Sequence, residues 1–240
     1  RGGKVLAIGS PRASLEANFA LRAMVGQDRF CDGMDQGEHS VARRILGILR
    51  NGPVKTASLH EVARADAVLV LGEDLTNTAP MRDFAVRQAA RNRPIDAAVK
   101  AGIARWNEAA IREQIQDQRG PVYVATVAPC MLDRVARQSV RGTPEELARF
   151  AFAVAHEVNS AAPPVAGMSD ALRQMVLAVA SDLREADRPV IIGGSSLRDA
   201  ALVEAAANIV QALHGAGKTE VRISFALSEA NSMGAALLGG

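Results

Sequence analysis

Five stretches of the chain are predominantly apolar: 4–10, 67–72, 121–126, 189–194 and 221–227. Each of the first four ends in small or polar residues and runs into a segment with helical periodicity. Apolar runs without polar alternation, interleaved with amphipathic helices, predict strands buried on both faces of a parallel sheet. The strands are expected to centre near Leu6, Leu69, Tyr123, Ile191 and Ile223 in one sheet. The fold class implied is α/β, a doubly wound, mostly parallel sheet with helices on both faces.

Helix starts are marked along the chain. Ser10-Pro11 offers a cap followed by a first-turn proline. Ser58 with Glu61 and Thr143 with Glu146 have capping-box spacing, and Thr78 with Pro80 opens another helix. The stripes Leu147/Phe150/Ala151/Val154/Val158, Leu172/Met175/Val176/Val179/Leu183 and Leu202/Ala205/Ile209/Leu213 recur at helical spacing and predict core faces. The stretch 161–168, with Pro163 and Pro164, is the one boundary candidate. The chain is thus read as one α/β domain or as two intimate lobes.

Composition narrows the classes. Hydrophobic residues make up 48% of the 240, enough for a sizeable core, and the net charge is only +2. No global field steers such a chain to nucleic acid, and no apolar run nears the roughly 18 residues of a membrane span. Neither nucleic-acid binding nor direct membrane insertion is expected. Arg87, Arg91 and Arg93 read as cations offsetting a helix end. Cys31 and Cys130 stand far apart, which is no disulfide framework and fits a reducing compartment. The chain opens on Arg1 and closes on Gly239-Gly240, so 1–240 is read as a fragment of a longer chain.

In doubly wound folds a ligand sits where loops leave the carboxyl ends of the strands. Those loops are 9–12, 72–78, 126–130 and 193–196. Small residues and hydroxyls suit an anion, but no GxGxxG and no Walker lysine follow them. Glu73-Asp74 places negative charge where a phosphate would approach. His39, His60, His156 and His214 are isolated, and His60 and His214 sit at expected helix ends. No HExxH or GxSxG occurs, so Ser195 and Ser196 are read as helix-entry residues. Two separated cysteines cannot hold an iron–sulfur cluster. Cys130 precedes a helix, a position that can lower a thiol pKa, but is read as a small buried hydrophobe. No residue is assigned as catalytic, cofactor-binding or metal-binding. Substitution at Gly72 or Gly193 is expected to affect folding more than turnover.

Longer phrases carry more information. They are Ile8-Gly9-Ser10-Pro11-Arg12-Ala13-Ser14-Leu15-Glu16-Ala17-Asn18-Phe19-Ala20-Leu21, then Ala65-Asp66-Ala67-Val68-Leu69-Val70-Leu71-Gly72-Glu73-Asp74-Leu75-Thr76-Asn77-Thr78-Ala79-Pro80, and Glu229-Ala230-Asn231-Ser232-Met233-Gly234. In this order they resemble the G subunits of bacterial NADH:quinone oxidoreductase, respiratory complex I, over nearly the whole chain. The first phrase, with Gly9, Glu16 and Asn18, is also similar to molybdopterin-dependent oxidoreductases.

The resemblance implies a non-catalytic structural domain, itself inactive, in the peripheral arm of an NADH dehydrogenase that passes electrons from NADH to quinone in the respiratory chain. Its implied partners are other hydrophilic-arm subunits. Its implied place is the cytoplasmic side of the inner membrane, peripheral through those partners. No cofactor is implied in this fragment, and iron–sulfur clusters are expected elsewhere in the full-length subunit. Cys31 and Asp35 fall near the molybdenum ligand of the enzymatic relatives. The sequence around them does not reproduce that pattern, so neither is assigned, and the strand-end loops are implied remnants of a pterin site. The alternative is a stand-alone nucleotide- or pterin-binding α/β domain. Residues 188–194 resemble the central domain of thiamine-diphosphate enzymes, over one strand and turn.

Overall fold

The computed structural model describes residues 5–52 and 54–239. In chain order the elements are β1 (Ala7–Ile8), α1 (Leu15–Val25), β2 (Phe30–Cys31), α2 (Gln36–Asn51), β3 (Lys55–Thr56), α3 (Leu59–Ala63), β4 (Ala67–Leu71) and α4 (Leu75–Thr78). There follow α5 (Pro80–Ala89), α6 (Asn92–Lys100), α7 (Glu108–Ile115), β5 (Val122–Thr126), β6 (Gln138–Arg141), α8 (Pro144–Val158) and α9 (Asp170–Glu185). The chain ends in β7 (Pro189–Gly194), α10 (Ala200–Gly215), β8 (Arg222–Ala226) and α11 (Ser232–Leu238).

Six strands form a parallel sheet in the order β3-β8-β7-β4-β5-β6. Successive side chains of a strand point to opposite faces, and the core divides accordingly. Leu69, Leu71, Tyr123, Ile191 and Ile223 face α8, α9 and α10. Val68, Val70, Val122, Val124, Val190 and Ile192 meet Val62 of α3 and Ala85, Val86 and Ala89 of α5. Burying one such Val, Leu or Ile contributes about 1.5–3 kcal/mol, which explains why β4 and β7 carry no polar alternation. The α/β doubly wound reading holds.

The first apolar run departs from expectation. It forms only the two-residue β1, paired in parallel with β2 and apart from the main sheet. The edges come instead from β3 and β6, whose residues Lys55, Thr56, Gln138 and Arg141 are polar and exposed. An edge strand has one neighbour and a solvated flank, so an apolar-run criterion passes over it.

The capping boxes at Ser58/Glu61 and Thr143/Glu146 are present, and Pro80 opens α5. Two other starts differ. Ser14, not Ser10, caps α1, its hydroxyl accepting from Ala17 N at 3.1 Å. Asp199 caps α10, so Ser195 and Ser196 lie in the loop before that helix rather than at its entry. Arg93 lies in the first turn of α6, where Asp182 at 3.1 Å meets its charge.

The turn from Asn231 to Gly234 ties the two ends of the chain together. Asn231 N donates to Pro11 O and Asn231 Nδ2 to Ala13 O, each at 2.8 Å. Ser232 Oγ donates to Glu38 at 2.9 Å, and Arg12 pairs with Glu229 at 2.7 Å.

Candidate functional site

From β4 the chain passes outward to β5 and β6, then returns to the other side of β4 to lay down β7 and β8. The direction of winding therefore reverses between β4 and β7. Outside their carboxyl ends lies the crevice where folds of this class place a ligand. Two loops border it: Gly72-Glu73-Asp74 after β4 and Ser195-Ser196 after β7.

Gly72 takes φ +76°, which turns the chain sharply at the end of β4. The turn sends Glu73 inward, where it is fully buried. Its Oε1 accepts from Ser196 N at 2.9 Å, and its Oε2 from Ser196 Oγ at 2.6 Å and Thr78 Oγ1 at 3.1 Å. These donors, one backbone N–H and two hydroxyls at a strand end, are the kind that would hold an anion. They are taken up by the protein's own carboxylate. A Cβ on Gly194 would fall on Glu73 Oε1 and lie 2.5 Å from Ala226 O, so only glycine leaves room for the plug.

Burial pushes the Glu73 carboxyl above its ordinary value, against the pull of Ser196, Thr78 and Arg82. Arg82, partly withdrawn from water itself, donates to Phe225 O at 2.7 Å at the end of β8. A carboxyl with a raised pKa in a cleft is a candidate acid or base. Here it has no exposed surface, so no dissolved substrate reaches it. Its work is to close the loop pair. Beside it, Ser195 Oγ lies 3.1 Å from Ser228 Oγ, and Ser195 N donates to Ala226 O at 2.9 Å. Asp74 accepts from Asn77 Nδ2 at 2.6 Å through one oxygen, while its buried Oδ1 meets no partner. A negatively charged group approaching this point would meet a carboxylate that already holds the donors of Ser196 and Thr78.

The other residues singled out from the sequence are dispersed. Cys31 is exposed on β2, and Cys130 lies half-buried beyond β5, both as free thiols. Burial raises the Cys130 thiol pKa, outweighing the lowering by the backbone N–H groups of Leu132 and Asp133, with smaller upward pushes from the Asp133 and Asp74 charges. Asp35 caps α2, accepting from Gly37 N at 2.9 Å and Glu38 N at 3.1 Å, and pairs with Arg198 at 2.8 Å. His39 Nδ1 lies 2.5 Å from the buried Asp32. His156 Nδ1 bonds Ala162 O at 2.6 Å. Among the described residues no His, Cys, Asp or Glu group is arranged to hold a metal ion. An open groove of about 730 Å³ along α2, lined by Gln36, His39, Arg43 and Asn51, shares no residue with the crevice.

One cluster escapes a reading of the sequence. Asp182 of α9 takes hydrogen bonds from Tyr123 Oη, Arg137 at 2.5 Å and Arg93 at 3.1 Å. Burial and the neighbouring carboxylate push the Tyr123 phenol up to about 12. A single tyrosine inside an otherwise apolar strand is the available signal, because a buried hydroxyl needs a partner.

A parallel sheet with reversed winding defines a doubly wound α/β domain, here with the space at the reversal closed from within. No protein-family model matches the chain. Curated relatives do. The chain is 42% identical over 240 residues to the G subunit of NADH-quinone oxidoreductase from Pseudomonas putida, covering 100% of this chain and 26% of that protein. It is 39% identical over 237 residues to the corresponding G subunit from Escherichia coli, covering 99% and 26%. The chain is therefore homologous to a region of the NADH-quinone oxidoreductase G subunit and spans about a quarter of the length of these relatives. Among solved structures, it aligns with a chain of the formyltransferase/hydrolase complex from Methylorubrum extorquens, crystallised with methylofuran. The TM-score is 0.51 at 14% identity, over 92% of this chain and 53% of the other, a likeness of fold alone.

Proposed function

We propose that the chain is a non-catalytic structural domain of the peripheral-arm G subunit of NADH-quinone oxidoreductase, in a complex that transfers electrons from NADH to quinone. The observation that carries this reading is Glu73, whose carboxylate occupies the donors of Ser196 and Thr78 at the switch point. Onward electron transfer needs a cofactor and a site that positions it, and here the place for one is filled by the chain itself. The same carboxylate counts against a stand-alone nucleotide- or pterin-binding domain.

The rest of the reading follows the homology. No catalytic, cofactor or metal residue is assigned within 5–239, and the iron–sulfur clusters belong elsewhere in the full-length subunit. The partners are other hydrophilic-arm subunits, and attachment on the cytoplasmic side of the inner membrane runs through them. Among the described residues no helix is long and apolar enough to cross a membrane. The chain acts as one α/β unit. Ala162, Val165 and Met168, in the loop that carries Pro163 and Pro164, pack on the same core as α8 and α9 and support that view.

The test is titration of the purified chain with NADH, followed by an assay with an artificial electron acceptor. Neither saturable binding nor acceptor reduction above a buffer control is expected. Micromolar binding, or turnover, would overturn the reading.

A further inference from the structure

Arginine collects at the end of the sheet away from Glu73. There α5 and α7 both finish beside the start of β5, where Gly120 N donates to Ala90 O at 2.6 Å. Between them lies a hollow of about 290 Å³ lined by Arg87, Arg91, Arg112 and Arg119, with Ile115 and Val135 among its apolar residues. Asp117 is the single carboxylate in that lining. Guanidinium groups stay charged at any working pH, so each of the four needs an answering charge.

Arg87 has one: its Nε and Nη2 reach both oxygens of Asp83, at 2.6 and 3.2 Å. Arg119 gives one nitrogen to Arg134 O at 2.7 Å and forms no ion pair among the described residues. Arg91 and Arg112 have neither an ion pair nor a side-chain hydrogen bond among the described residues. Cations do gather at helix C-termini, and the ends of α5 and α7 offer about half an elementary charge each. Together they offset about one of the three uncommitted guanidiniums. Asp117 pairs with none of them and offsets at most one more. Positive charge is left over in a concave place, where an anion is drawn in. Gln116, at the end of α7, lines the same hollow. Its φ of +45° lies in the left-handed region, where Arg198 is the only other non-glycine among the described residues. Such strain gathers at ligand clamps.

We propose that this hollow is a binding site for a small phosphate-bearing anion, held by the free forks of Arg91, Arg112 and Arg119. Guanidinium forks match the paired oxygens of a phosphate group. The volume lies at the lower edge of ordinary ligand sites, roughly 300–1,000 Å³. A phosphomonoester or a pyrophosphate suits it, and a dinucleotide does not. Concavity favours such a ligand over an acidic protein surface, which needs a broad face. The inference is independent of the closed switch point and of the homology, and it assigns no catalytic role.

Pyrophosphate is the probe. The full-length subunit carrying this chain is titrated with it by calorimetry, in low-salt buffer free of other multivalent anions. Inorganic phosphate and a polyglutamate peptide are titrated in parallel. One saturable pyrophosphate site is expected, with phosphate competing for it more weakly and the peptide not binding. Arg91→Gln and Arg112→Gln should each weaken pyrophosphate at least about tenfold. Their unfolding midpoints without ligand should stay at or above that of the wild type, because a like-charge repulsion is relieved. Arg173→Gln removes an equally exposed charge from α9 and should change the affinity less than about twofold. Absence of a saturable site, or wild-type affinity in both variants, would overturn the proposal. So would an equal loss in Arg173→Gln, which assigns the binding to overall charge. A lowered midpoint together with lost binding would make the arginines structural and reject it as well. Tighter binding of the peptide than of pyrophosphate would reject it in favour of an acidic protein segment.

Discussion

Replacing Glu73 separates its two contributions. Glu73→Ala removes the acceptor for Ser196 N, Ser196 Oγ and Thr78 Oγ1, which belong to exposed residues, and empties the buried space that the carboxylate fills. Hydrogen bonds to a charged group contribute about 1.5–3 kcal/mol each. Against them stands the cost of keeping a carboxylate from water, several kcal/mol per ion. Water can reach the freed donors, so the net loss expected for Ala is about 1–3 kcal/mol. Glu73→Gln keeps the shape and one oxygen acceptor while removing the charge, so its loss is expected to stay below about 1 kcal/mol. Urea unfolding at fixed pH, with unchanged slope, measures both. Burial raises the folded-state pKa of Glu73 above 4.5, so the folded state holds the proton more tightly than the unfolded chain does. This contribution is full below pH 4.5 and is lost as pH rises through the folded value. The wild type should therefore lose stability over that interval relative to Glu73→Gln. Ala as stable as Gln, or a wild-type-minus-Gln difference flat with pH, would refute the internal-anion account.

Three further outcomes are expected from the geometry. Gly194→Ala places a Cβ on the Glu73 carboxylate and should cost about 1–3 kcal/mol as overpacking. Gly193→Ala meets Phe225 at 3.4 Å, an ordinary contact, so unfolding midpoints should rank Gly193→Ala well above Gly194→Ala. Tyr123 is the single tyrosine, so tyrosinate absorbance reports it alone. Titration should show a folded pKa near about 12, with the phenol's share of stability present below pH 10.0 and lost through about 12, and a midpoint at the ordinary value would refute the Asp182 clamp. A thiol reagent should modify exposed Cys31 before half-buried Cys130, whose raised pKa slows it, and should find both free in the unreduced, denatured chain. The reverse order, or fewer than two thiols, would contradict the structure.

How much of this can be read from sequence depends on where each residue sits relative to water. Strands β4, β5, β7 and β8 are covered on both faces, so nearly every position in them is apolar or small, with Arg222 at the start of β8 and Tyr123 in β5 the exceptions. Lys55-Thr56 and Gln138–Arg141 have one strand neighbour each, and their composition reports the solvent instead. The run at 4–10 looks like its counterparts because its composition answers to the same demand for cover. That demand is not met within the described residues, where β1 pairs only with β2. Apolar composition thus identifies a strand that needs burial without identifying what buries it.

The crevice is legible in part and for a similar reason. Glu73-Asp74 at a strand end announces negative charge beside the place for a ligand, and the absence of a glycine fingerprint agrees with it. What the sequence does not encode locally is direction. Gly72 in the left-handed region turns Glu73 toward Ser196, 123 positions further along the chain, and Gly194 leaves the space for it. Two acidic neighbours at one loop therefore do different things: Asp74 stays with Asn77 in its own turn, and Glu73 crosses to the other side of the winding reversal. A surface acid there would merely repel an incoming phosphate and could be screened by salt. A buried one removes the donors, and its effect persists at any ionic strength, because a ligand would have to displace a carboxylate already held by three hydrogen bonds.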